Sequence, residues 1–441
     1  MLPPQPIDSM RIVQLTPGTG NFYCGTCLRD NALVAALRRQ GHDAILLPMY
    51  LPHLVDEESN VALGAPLFFG GINVYLQQKS ALFRSTPAWL DRLLDAPPLL
   101  KAAAARAGMT SARDLGDLTL SMVLGESGRQ AKELEKIVAW LSRPENRPDI
   151  VSLSNSLLIG LARRIKQALG APIVCTLQGE DGFIDSLPQP HRCWEALRDR
   201  ARDVTSFIAV SDYYAGLMRD RLGLLDARVE VVHNGINLEG YRSAELELAA
   251  PPAIGFLARM HPDKGLSELV DAFIEIKSRN RIPGVRLKIA GSQTASDLPF
   301  VAALRDRIFK AGCKADVEFL PNLDRAQKQA FLQTLTVFSV PATCGESFGL
   351  YLLEAMASGV PVVQPASGAF PELIAKTGGG FVYDPDQPNA LASALEEALS
   401  DRPRSKAVGE CGMRSVRERF TSEVMAREFA GVCARARSNA A

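Results

Sequence analysis

Three features are missing from this 441-residue sequence. Neither charge is in excess, because 49 Lys and Arg residues balance 49 Asp and Glu residues, and this argues against a protein that coats nucleic acid. No run approaches the ~18 uninterrupted apolar residues of a membrane span. The first six residues lack the charged and apolar regions of a signal peptide. We therefore expect a cytoplasmic protein without a nucleic-acid partner.

Closely spaced cysteines are also scarce. Of the eight cysteines, only Cys24 and Cys27 lie near each other in sequence. A structural zinc site commonly needs two such pairs, and no second pair exists. In a chain without an export signal, the thiols are expected to be reduced. Two ordinary thiols on a loop entering a helix are the favoured interpretation, and a redox pair or a local metal site is the alternative.

What the sequence does contain is an alternation of short apolar runs with amphipathic stretches. The hydrophobic content of 47% excludes wholesale disorder. Strands are predicted at 11–15 and 44–47. Between them a helix is predicted over 30–39, because apolar residues recur there at helical spacing and Gly41 follows as a stop. This order predicts an α/β fold with parallel sheets that carry helices on both faces.

The alternation is interrupted twice. Residues 51–148 are interpreted as a mainly helical insertion, and the polar segment 237–252 is predicted to hold a domain boundary. Further strands are predicted at 150–153, 172–176, 206–210, 229–232, 253–257, 286–290, 317–319, 337–340 and 360–363. Helices are predicted at about 157–169, 194–203, 212–221, 265–278, 298–310, 324–333, 349–357, 387–399, 404–418 and 422–435. Ligands bind such folds beyond the carboxyl ends of the strands.

The clearest chemical pattern lies between residues 341 and 363. It indicates a strand end, a glycine-containing loop, a helix, a glycine stop and another strand. Unpaired N–H groups at a helix start form an anion site. Glu346 lies on the loop and Glu354 lies inside the helix, so the two carboxylates could grip hydroxyls on both sides of a bound phosphate. Alternatively, both are solvated glutamates, or one helps to cap the helix.

The spacing from Glu346 to Glu354, within Gly-Glu-Ser-Phe-Gly-Leu, resembles the donor-site signature of GT-B, family-4-type retaining glycosyltransferases (glycosyl transferases group 1). Three further segments resemble, in order, that family's small motif at a strand end, its Pro-Asn-Gly-Val-Asp element and its Gly-Arg-x5-Lys-Gly segment: 209–211, 232–237 and 255–265. Together they cover most of 205–375, whereas the first 200 residues match only in outline.

The resemblance implies two doubly wound, Rossmann-like domains that face each other across a cleft. Residues 1–240 would form the acceptor-side domain, with the helical insertion at about 51–148. Residues 250–420 would form the nucleotide-sugar-binding domain. The C-terminal helix at 421–441 is a candidate for crossing back to the first domain.

The resemblance also implies residue roles. Arg259 and Lys264 are similar to the family's diphosphate clamp, since Arg supplies a bidentate fork and Lys a point charge. Their alternative is two surface cations in a loop. Glu346 would face the donor sugar and complete the catalytic set, and Glu354 would bind the ribose. The other donor-binding candidates, which include glycine-rich loop and helix-start positions, are Gly18, Gly20, Asn234, Ser347, Phe348, Gly349 and Leu350.

The acceptor or sugar side is assigned to Asn21, Gln178, Glu180 and Asp181. Many relatives have a histidine where Gln178 stands. A glutamine can hydrogen-bond a sugar but cannot become cationic, so the usual role of this position does not carry over directly. Glu180 and Asp181 either orient an acceptor hydroxyl or merely line a loop, and the residues alone leave both interpretations open.

No metal site is predicted. Asp384 and Asp386 have the Asp-x-Asp form used by metal-dependent transferases of another fold, but their context suits a turn and a helix cap. We expect no cofactor, with a nucleotide-diphosphate sugar as co-substrate. The helix-start amides and the two cations would neutralise the phosphate charge that a metal neutralises elsewhere.

The implied reaction transfers a sugar from a nucleotide-diphosphate sugar to an acceptor hydroxyl with retention of configuration. The acceptor would be a small molecule, a glycan or a lipid-linked group, and the last of these would allow peripheral membrane association. Two alternatives are a glucan (glycogen or starch) synthase-like transferase and a catalytically weakened nucleotide-sugar-binding protein. An oxidoreductase is disfavoured, because Tyr23 interrupts the Gly-x-Gly-x-x-Gly fingerprint.

Overall fold

The structure is a computed structural model that describes residues 9–18, 25–50, 59–61, 68–69, 74, 77–78, 112–242 and 251–439. It divides into two compact units. The first comprises Met1–Val210, Tyr214–His233 and Met425–Ala441, and the second comprises Ser211–Tyr213 and Asn234–Val424. The chain thus enters the second unit a few residues before the polar segment at 237–252.

The first unit contains a six-stranded parallel sheet in the order β2-β1-β3-β4-β5-β6. Its strands are β1 Arg11–Thr16, β2 Asp43–Pro48, β3 Ile150–Leu153, β4 Ile173–Leu177, β5 Ser206–Ala209 and β6 Val229–Val231. Because β1 pairs with both β2 and β3, the strand order reverses beside β1. Such a reversal opens a crevice at the carboxyl ends of the strands.

The second unit repeats this plan with the order β12-β11-β10-β7-β8-β9. Its strands are β7 Ala253–Leu257, β8 Arg286–Gly291, β9 Val317–Pro321, β10 Val337–Phe338, β11 Val362–Pro365 and β12 Gly380–Tyr383. The order reverses between β7 and β10. The segments that follow these two strands therefore leave the same edge of the sheet side by side.

Fifteen α-helices lie within the described residues. In chain order they are α1 Gly25–Arg39, α2 Ala112–Val123, α3 Ala131–Leu141, α4 Ala162–Leu169, α5 Asp181–Asp185, α6 Pro190–Arg200, α7 Asp212–Leu222, α8 Leu266–Arg279, α9 Leu298–Lys310, α10 Arg325–Gln333, α11 Leu350–Ala357, α12 Phe370–Thr377, α13 Ala390–Ser400, α14 Arg402–Arg419 and α15 Ser422–Ser438. None of these helices is long and apolar enough to span a membrane.

The core of the first unit includes the end of the chain. Ile12 of β1 and Val174 of β4 pack with Leu33 of α1 and with Phe429 of α15. From Met425 onward, α15 belongs to the first unit, and its apolar face is fully covered there. Burial of apolar surface contributes roughly 25 cal/mol per Å² to the free energy of folding, and this burial holds α15 against the sheet of the first unit.

The alternating α/β order and the two doubly wound parallel sheets are confirmed in both units. Three elements were not predicted: the short helix α5, helix α12 and the edge strand β12. In the structure, Gly378 ends α12 with φ +64° and donates its N–H to the Ile374 carbonyl at 2.8 Å, which is a common helix-ending geometry. Pro371 is tolerated because it stands in the first turn.

Other boundaries moved by a few residues. Helix α1 begins at Gly25, five residues before the predicted start, and α13 begins at Ala390 rather than 387. The loop before α13 holds a turn, since Asp384 accepts the Asp386 N–H at 3.0 Å. Of the predicted helical insertion, α2 and α3 lie within the described residues, and its alanine-rich stretch at 102–107 lies outside them.

Candidate active site

Two loops leave neighbouring strands of the second unit and are joined to each other. After β7 the chain turns at Pro262–Lys264 into Gly265, which has φ +69°. A Cβ on Gly265 would stand 1.8 Å from the Pro341 carbonyl oxygen, so only glycine permits this approach. The loop after β10 also donates the Thr343 N–H to the Asp263 carbonyl at 3.1 Å. The motif segments at 258–265 and 341–349 thus form one surface.

Lys264 and Glu346 meet across these two loops. The Lys264 Nζ donates to the Glu346 Oε2 at 2.6 Å, and the two side chains are 28% and 17% exposed. Tyr351 donates its hydroxyl to the same Oε2 at 2.9 Å. Burial, reinforced by the nearby Glu346 carboxylate, holds the pKa of Tyr351 well above its usual range, so the phenol remains a proton donor.

Helix α11 begins directly after this loop. Gly349 precedes it with φ +91°, and a Cβ there would approach a Phe370 ring carbon to 3.1 Å. The first N–H groups of a helix have no acceptor within it, and Tyr351 in the first turn of α11 contacts Glu346. Anion binding at the start of α11 stays a prediction.

The side chains of this loop have a second task in packing. Ser347 and Phe348 are buried, and the Ser347 carbonyl accepts the Ser211 hydroxyl at 2.7 Å. A Cβ on Gly345 would stand 2.5 Å from the Tyr213 hydroxyl oxygen. Packing against Tyr213 thus explains why residue 345 is a glycine. The predicted donor contacts of Ser347 and Phe348 are compatible with backbone groups rather than with their buried side chains.

Glu354 lies on the second turn of α11. Its Oε1 accepts the Tyr241 hydroxyl at 2.8 Å and pairs with the Lys328 Nζ at 2.7 Å. Glu354 is 16% exposed and Lys328 is 13% exposed. The predicted ribose carboxylate is therefore neither a freely solvated glutamate nor a cap of its own helix.

The β7 loop also carries Arg259 and His261, and the carboxylate of Asp297 lies near them. Arg259 is exposed, and Asp297 is almost fully buried at the turn before α9. Burial opposes ionisation of Asp297, but hydrogen bonds from Thr294 and the charges of Arg259 and His261 hold its pKa below the usual range. Burial and then the Arg259 charge lower the pKa of His261, whose ring contacts Asp263. The cationic groups of the loop are therefore Arg259 and Lys264.

Asn234 lies in a segment anchored elsewhere in the second unit. Asn234 is buried, and the neighbouring Ile236 exchanges backbone hydrogen bonds with Phe420 and Ser422 at 3.0 Å each. A Cβ on Gly235 would stand 2.1 Å from the Thr421 carbonyl oxygen. The described contacts of this segment thus explain its glycine by packing, and the donor-binding role of Asn234 stays a prediction.

In the first unit, the predicted acceptor residues line the end of β4. Gln178 donates its Nε2 to the Ser154 carbonyl at 2.5 Å. Glu180 is 5% exposed, and its two oxygens accept the N–H groups of Ser156 at 2.9 Å and Gln178 at 2.8 Å. Tyr214 donates its hydroxyl to Asp181 at 2.9 Å. These bonds hold the loop together, and acceptor binding by Gln178, Glu180 and Asp181 stays a prediction.

The first strand end is described only in part. Gly18 follows β1 with φ +88°, a conformation that favours glycine. The predicted site residues Gly20 and Asn21, together with Cys24, lie outside the described residues. Cys27 is fully buried, with its Sγ 3.6 Å from the Thr16 hydroxyl, which fits an ordinary core thiol.

Three residues at the site were not predicted: Tyr241, Lys328 and Tyr351. A tyrosine or lysine at a helix or loop position carries no signal by itself. Tyr241 is 113 residues from the carboxylate that it contacts, so no local pattern in the sequence connects the two.

The backbone resembles solved glycosyltransferases over nearly its whole length. A sucrose-phosphate synthase from Thermosynechococcus elongatus matches with a TM-score of 0.70 and 17% identity, over 97% of this chain and 99% of that one. HepE from Anabaena, solved in complex with UDP and glucose, matches with a TM-score of 0.68 and 17% identity, over 96% and 99%. Identities this low establish the fold alone, and that fold is GT-B.

The sequence comparison is more specific. The family described as Glycosyl transferases group 1 matches residues 241–414, and Glycosyltransferase Family 4 matches residues 122–239. Together they cover well over half of the chain. The protein therefore belongs to the family-4-type, group 1 glycosyltransferases, as the motifs around Glu346 and Lys264 predict.

Three individual relatives share between 25% and 31% sequence identity with this chain, over parts of their length. The lipopolysaccharide core biosynthesis mannosyltransferase LpsB of Rhizobium meliloti is 31% identical over 47% of this chain and 61% of its own length. A GDP-mannose-dependent phosphatidylinositol monomannoside mannosyltransferase of Mycobacterium tuberculosis is 28% identical, over 61% and 71%. A glycogen synthase of Mycobacterium tuberculosis is 25% identical, over 77% and 79%. The chain thus spans about 61% of the first of these relatives.

Proposed function

We propose that this protein transfers a sugar from a nucleoside-diphosphate sugar to an acceptor hydroxyl, with retention of the anomeric configuration. The observation that carries the proposal is the contact of Lys264 with Glu346 at the start of α11. It brings a cation, a carboxylate and unpaired helix amides to the carboxyl edge of a parallel sheet, where such folds bind nucleotides.

The diphosphate would bind between the cations and the helix start. An ammonium has three donors, and Lys264 uses one of them on Glu346, so others remain for a phosphate oxygen. Arg259 is exposed on the same loop and can offer a bidentate fork. Donors aimed at the leaving group stabilise the charge that develops as the glycosidic bond breaks.

The two carboxylates would bind hydroxyls on either side of that diphosphate. Glu354, deeper along α11, would take the ribose, and Glu346, on the loop, would take the donor sugar. Among the described residues, neither the Glu354 Oε2 nor the Glu346 Oε1 has a hydrogen-bond partner. With respect to the described part of the chain, each carboxylate thus has one oxygen that a ligand hydroxyl could contact.

In the proposed reaction, the acceptor oxygen bonds to the anomeric carbon on the face that the diphosphate leaves. The bond from that carbon to the β-phosphate oxygen breaks, and the acceptor proton passes to the leaving diphosphate. No protein nucleophile is needed. The protein positions the two substrates and stabilises the leaving group, effects that account for large rate enhancements elsewhere.

The relatives suggest two donor classes to test. Two are named as mannosyltransferases, one of them GDP-mannose-dependent, which favours a mannosyl donor and a glycan or lipid-linked acceptor. The glycogen synthase match favours a glucosyl donor and a glucan acceptor as the second candidate. We propose the first, with no bound cofactor.

The test is a thermal-shift screen of the purified protein against GDP- and UDP-sugars, followed by release of the nucleoside diphosphate from each binder. A true donor at 100 times its dissociation constant should add ~2.7 kcal/mol of stability. Slow donor hydrolysis separates an enzyme from a pure binding protein. Binding without any release would reject transfer, and absence of binding to every nucleotide sugar would reject the proposed function altogether.

A further inference from the structure

We propose that lysine–tyrosine pairs hold both motif carboxylates by one oxygen each, which makes Tyr351, Tyr241 and Lys328 positioning residues. Tyr351 would set the sugar-facing carboxylate Glu346, and the other two would set the ribose carboxylate Glu354. The inference rests on the proposed function and adds three residues to its site.

At Glu346, both bonds fall on one atom. A carboxylate oxygen offers two lone pairs, and the Oε2 receives Lys264 at 2.6 Å and Tyr351 at 2.9 Å. With Oε2 saturated, the carboxylate plane cannot rotate without breaking two charge-assisted bonds. The other oxygen is thereby aimed in one direction.

The position of the Tyr351 hydroxyl is set by the packing of its ring. Its ring packs against the rings of Phe338 and Phe370, with centroids at 6.2 and 6.5 Å. The side chain is partly buried, and burial together with the Glu346 carboxylate raises the pKa of the phenol, which therefore stays protonated at ordinary pH. A flexible lysine alone would not supply such a reference, because its ammonium moves on a four-carbon stem.

The same arrangement recurs at Glu354 with the oxygens exchanged. The Oε1 forms an ion pair with the Lys328 Nζ at 2.7 Å and accepts the Tyr241 hydroxyl at 2.8 Å, and all three side chains are largely buried. Oε2 is the oxygen left over. A ribose hydroxyl then meets a carboxylate whose orientation is already set, so less conformational entropy is lost on binding.

Tyr241 is itself held from several sides. The Arg325 guanidinium lies 5.7 Å from its ring centroid and donates to the carbonyls of Asn237 at 3.1 Å and Glu239 at 3.0 Å. Arg417 donates to the Tyr241 carbonyl at 3.2 Å. The segment before Arg242 therefore supports the donor site through one phenol.

The two pairs predict different kinetic defects. Tyr351→Phe removes one bond from the carboxylate nearest the reacting sugar, so kcat should fall about 10-fold or more while the Kd for free nucleoside diphosphate stays within about twofold. Tyr241→Phe and Lys328→Met act on the ribose carboxylate. They should weaken nucleoside diphosphate binding about 10-fold each, with kcat at saturating donor little changed.

The experiment combines calorimetric titration of the full-length protein with GDP and UDP and steady-state kinetics with the donor found in the screen. Tyr383→Phe and Lys277→Met are the matched controls, because both residues lie outside the site. Tyr383 lies on β12, and Lys277 on α8 pairs with Asp316 at 2.7 Å. Each tyrosine variant keeps its ring and so keeps its packing. Both controls should match the wild type in kcat and in nucleoside diphosphate affinity.

The split between kcat and affinity supports the inference. The inference is overturned if Tyr351→Phe and Tyr241→Phe have the same kcat and the same nucleoside diphosphate affinity as Tyr383→Phe. It is also overturned if every variant loses kcat and affinity equally, because that result indicates a general structural defect. Wild-type protein that binds neither GDP nor UDP would instead reject the proposed function, and the positioning roles with it. Active wild type with unaffected variants rejects the positioning roles alone.

Discussion

The carboxyl edges of the two sheets share a topology but differ in how they use their carboxylates. In the second unit, Glu346 and Glu354 each keep an oxygen without a partner among the described residues. In the first unit, Glu180 gives both oxygens to backbone N–H groups. A carboxylate at the edge of a parallel sheet is thus not by itself a binding group. What matters is whether local bonds consume both oxygens.

The largest expected effect falls on the cations of the second unit. Lys264→Ala removes both the proposed phosphate donor and one of the two partners of Glu346, and Arg259→Ala removes the exposed guanidinium. Each should lower kcat by ~10²–10³, the usual cost of a lost donor to the developing charge. Release of nucleoside diphosphate is the measurement, with Lys277→Ala as the control. Turnover unchanged in both variants would contradict the diphosphate clamp.

Glu354 gives the next effect. Glu354→Gln keeps the side-chain shape but removes the charge that accepts from Lys328 and from the proposed ribose. Nucleoside diphosphate affinity should fall roughly 10- to 100-fold, since hydrogen bonds to charged groups contribute ~1.5–3 kcal/mol. Calorimetric titration measures this loss. Glu397→Gln, on the exposed face of α13, is the control and should leave the nucleoside diphosphate affinity unchanged. Equal affinity in the two variants would remove Glu354 from the site.

The comparison predicts the reverse at Glu180. Glu180→Gln leaves one of the Ser156 and Gln178 N–H groups facing an amide donor, so the free energy of unfolding should drop by ~1–3 kcal/mol. Nucleoside diphosphate binding should stay within twofold of wild type. Urea unfolding and titration together decide the matter. A stable variant that has lost transfer to the acceptor would show that Glu180 is functional, and the difference between the two units would then disappear.

The smallest effect concerns pH. Burial lowers the pKa of His42 in the first unit, and the charge of Arg437 lowers it further. His261 in the second unit is shifted in the same direction. Because the unfolded chain binds these protons near pH 6.5, stability is complete above that value and falls as the pH drops through the folded-state pKa values.

The loss should not exceed about 1.4 kcal/mol per pH unit for each histidine. Urea unfolding between pH 7.5 and 5.0 measures it, and His42→Asn should flatten part of the slope. A wild-type stability that rises on acidification over this range would contradict both assignments.

Sequence reasoning was most successful where the signal is local. Strand β3 and helix α9 have the predicted bounds, because apolar period and helix-breaking residues are properties of neighbouring positions. No element was predicted at α12 or β12. Gly378 ends one element and Gly380 begins the next, and only the pairing of its backbone with Val362 of β11 shows that the second is a strand.

By itself, the sequence indicated two doubly wound sheets and, through its resemblance to the group 1 glycosyltransferases, a motif that contains Lys264, Glu346 and Glu354. The tertiary structure alone decided which groups each carboxylate contacts. The strand order brings Lys328 and Tyr241 to Glu354 and seats Glu180 against two backbone N–H groups. It also gives α15 to the core of the first unit. Such contacts join residues far apart in the chain, and their formation depends on the whole sheet rather than on any local pattern.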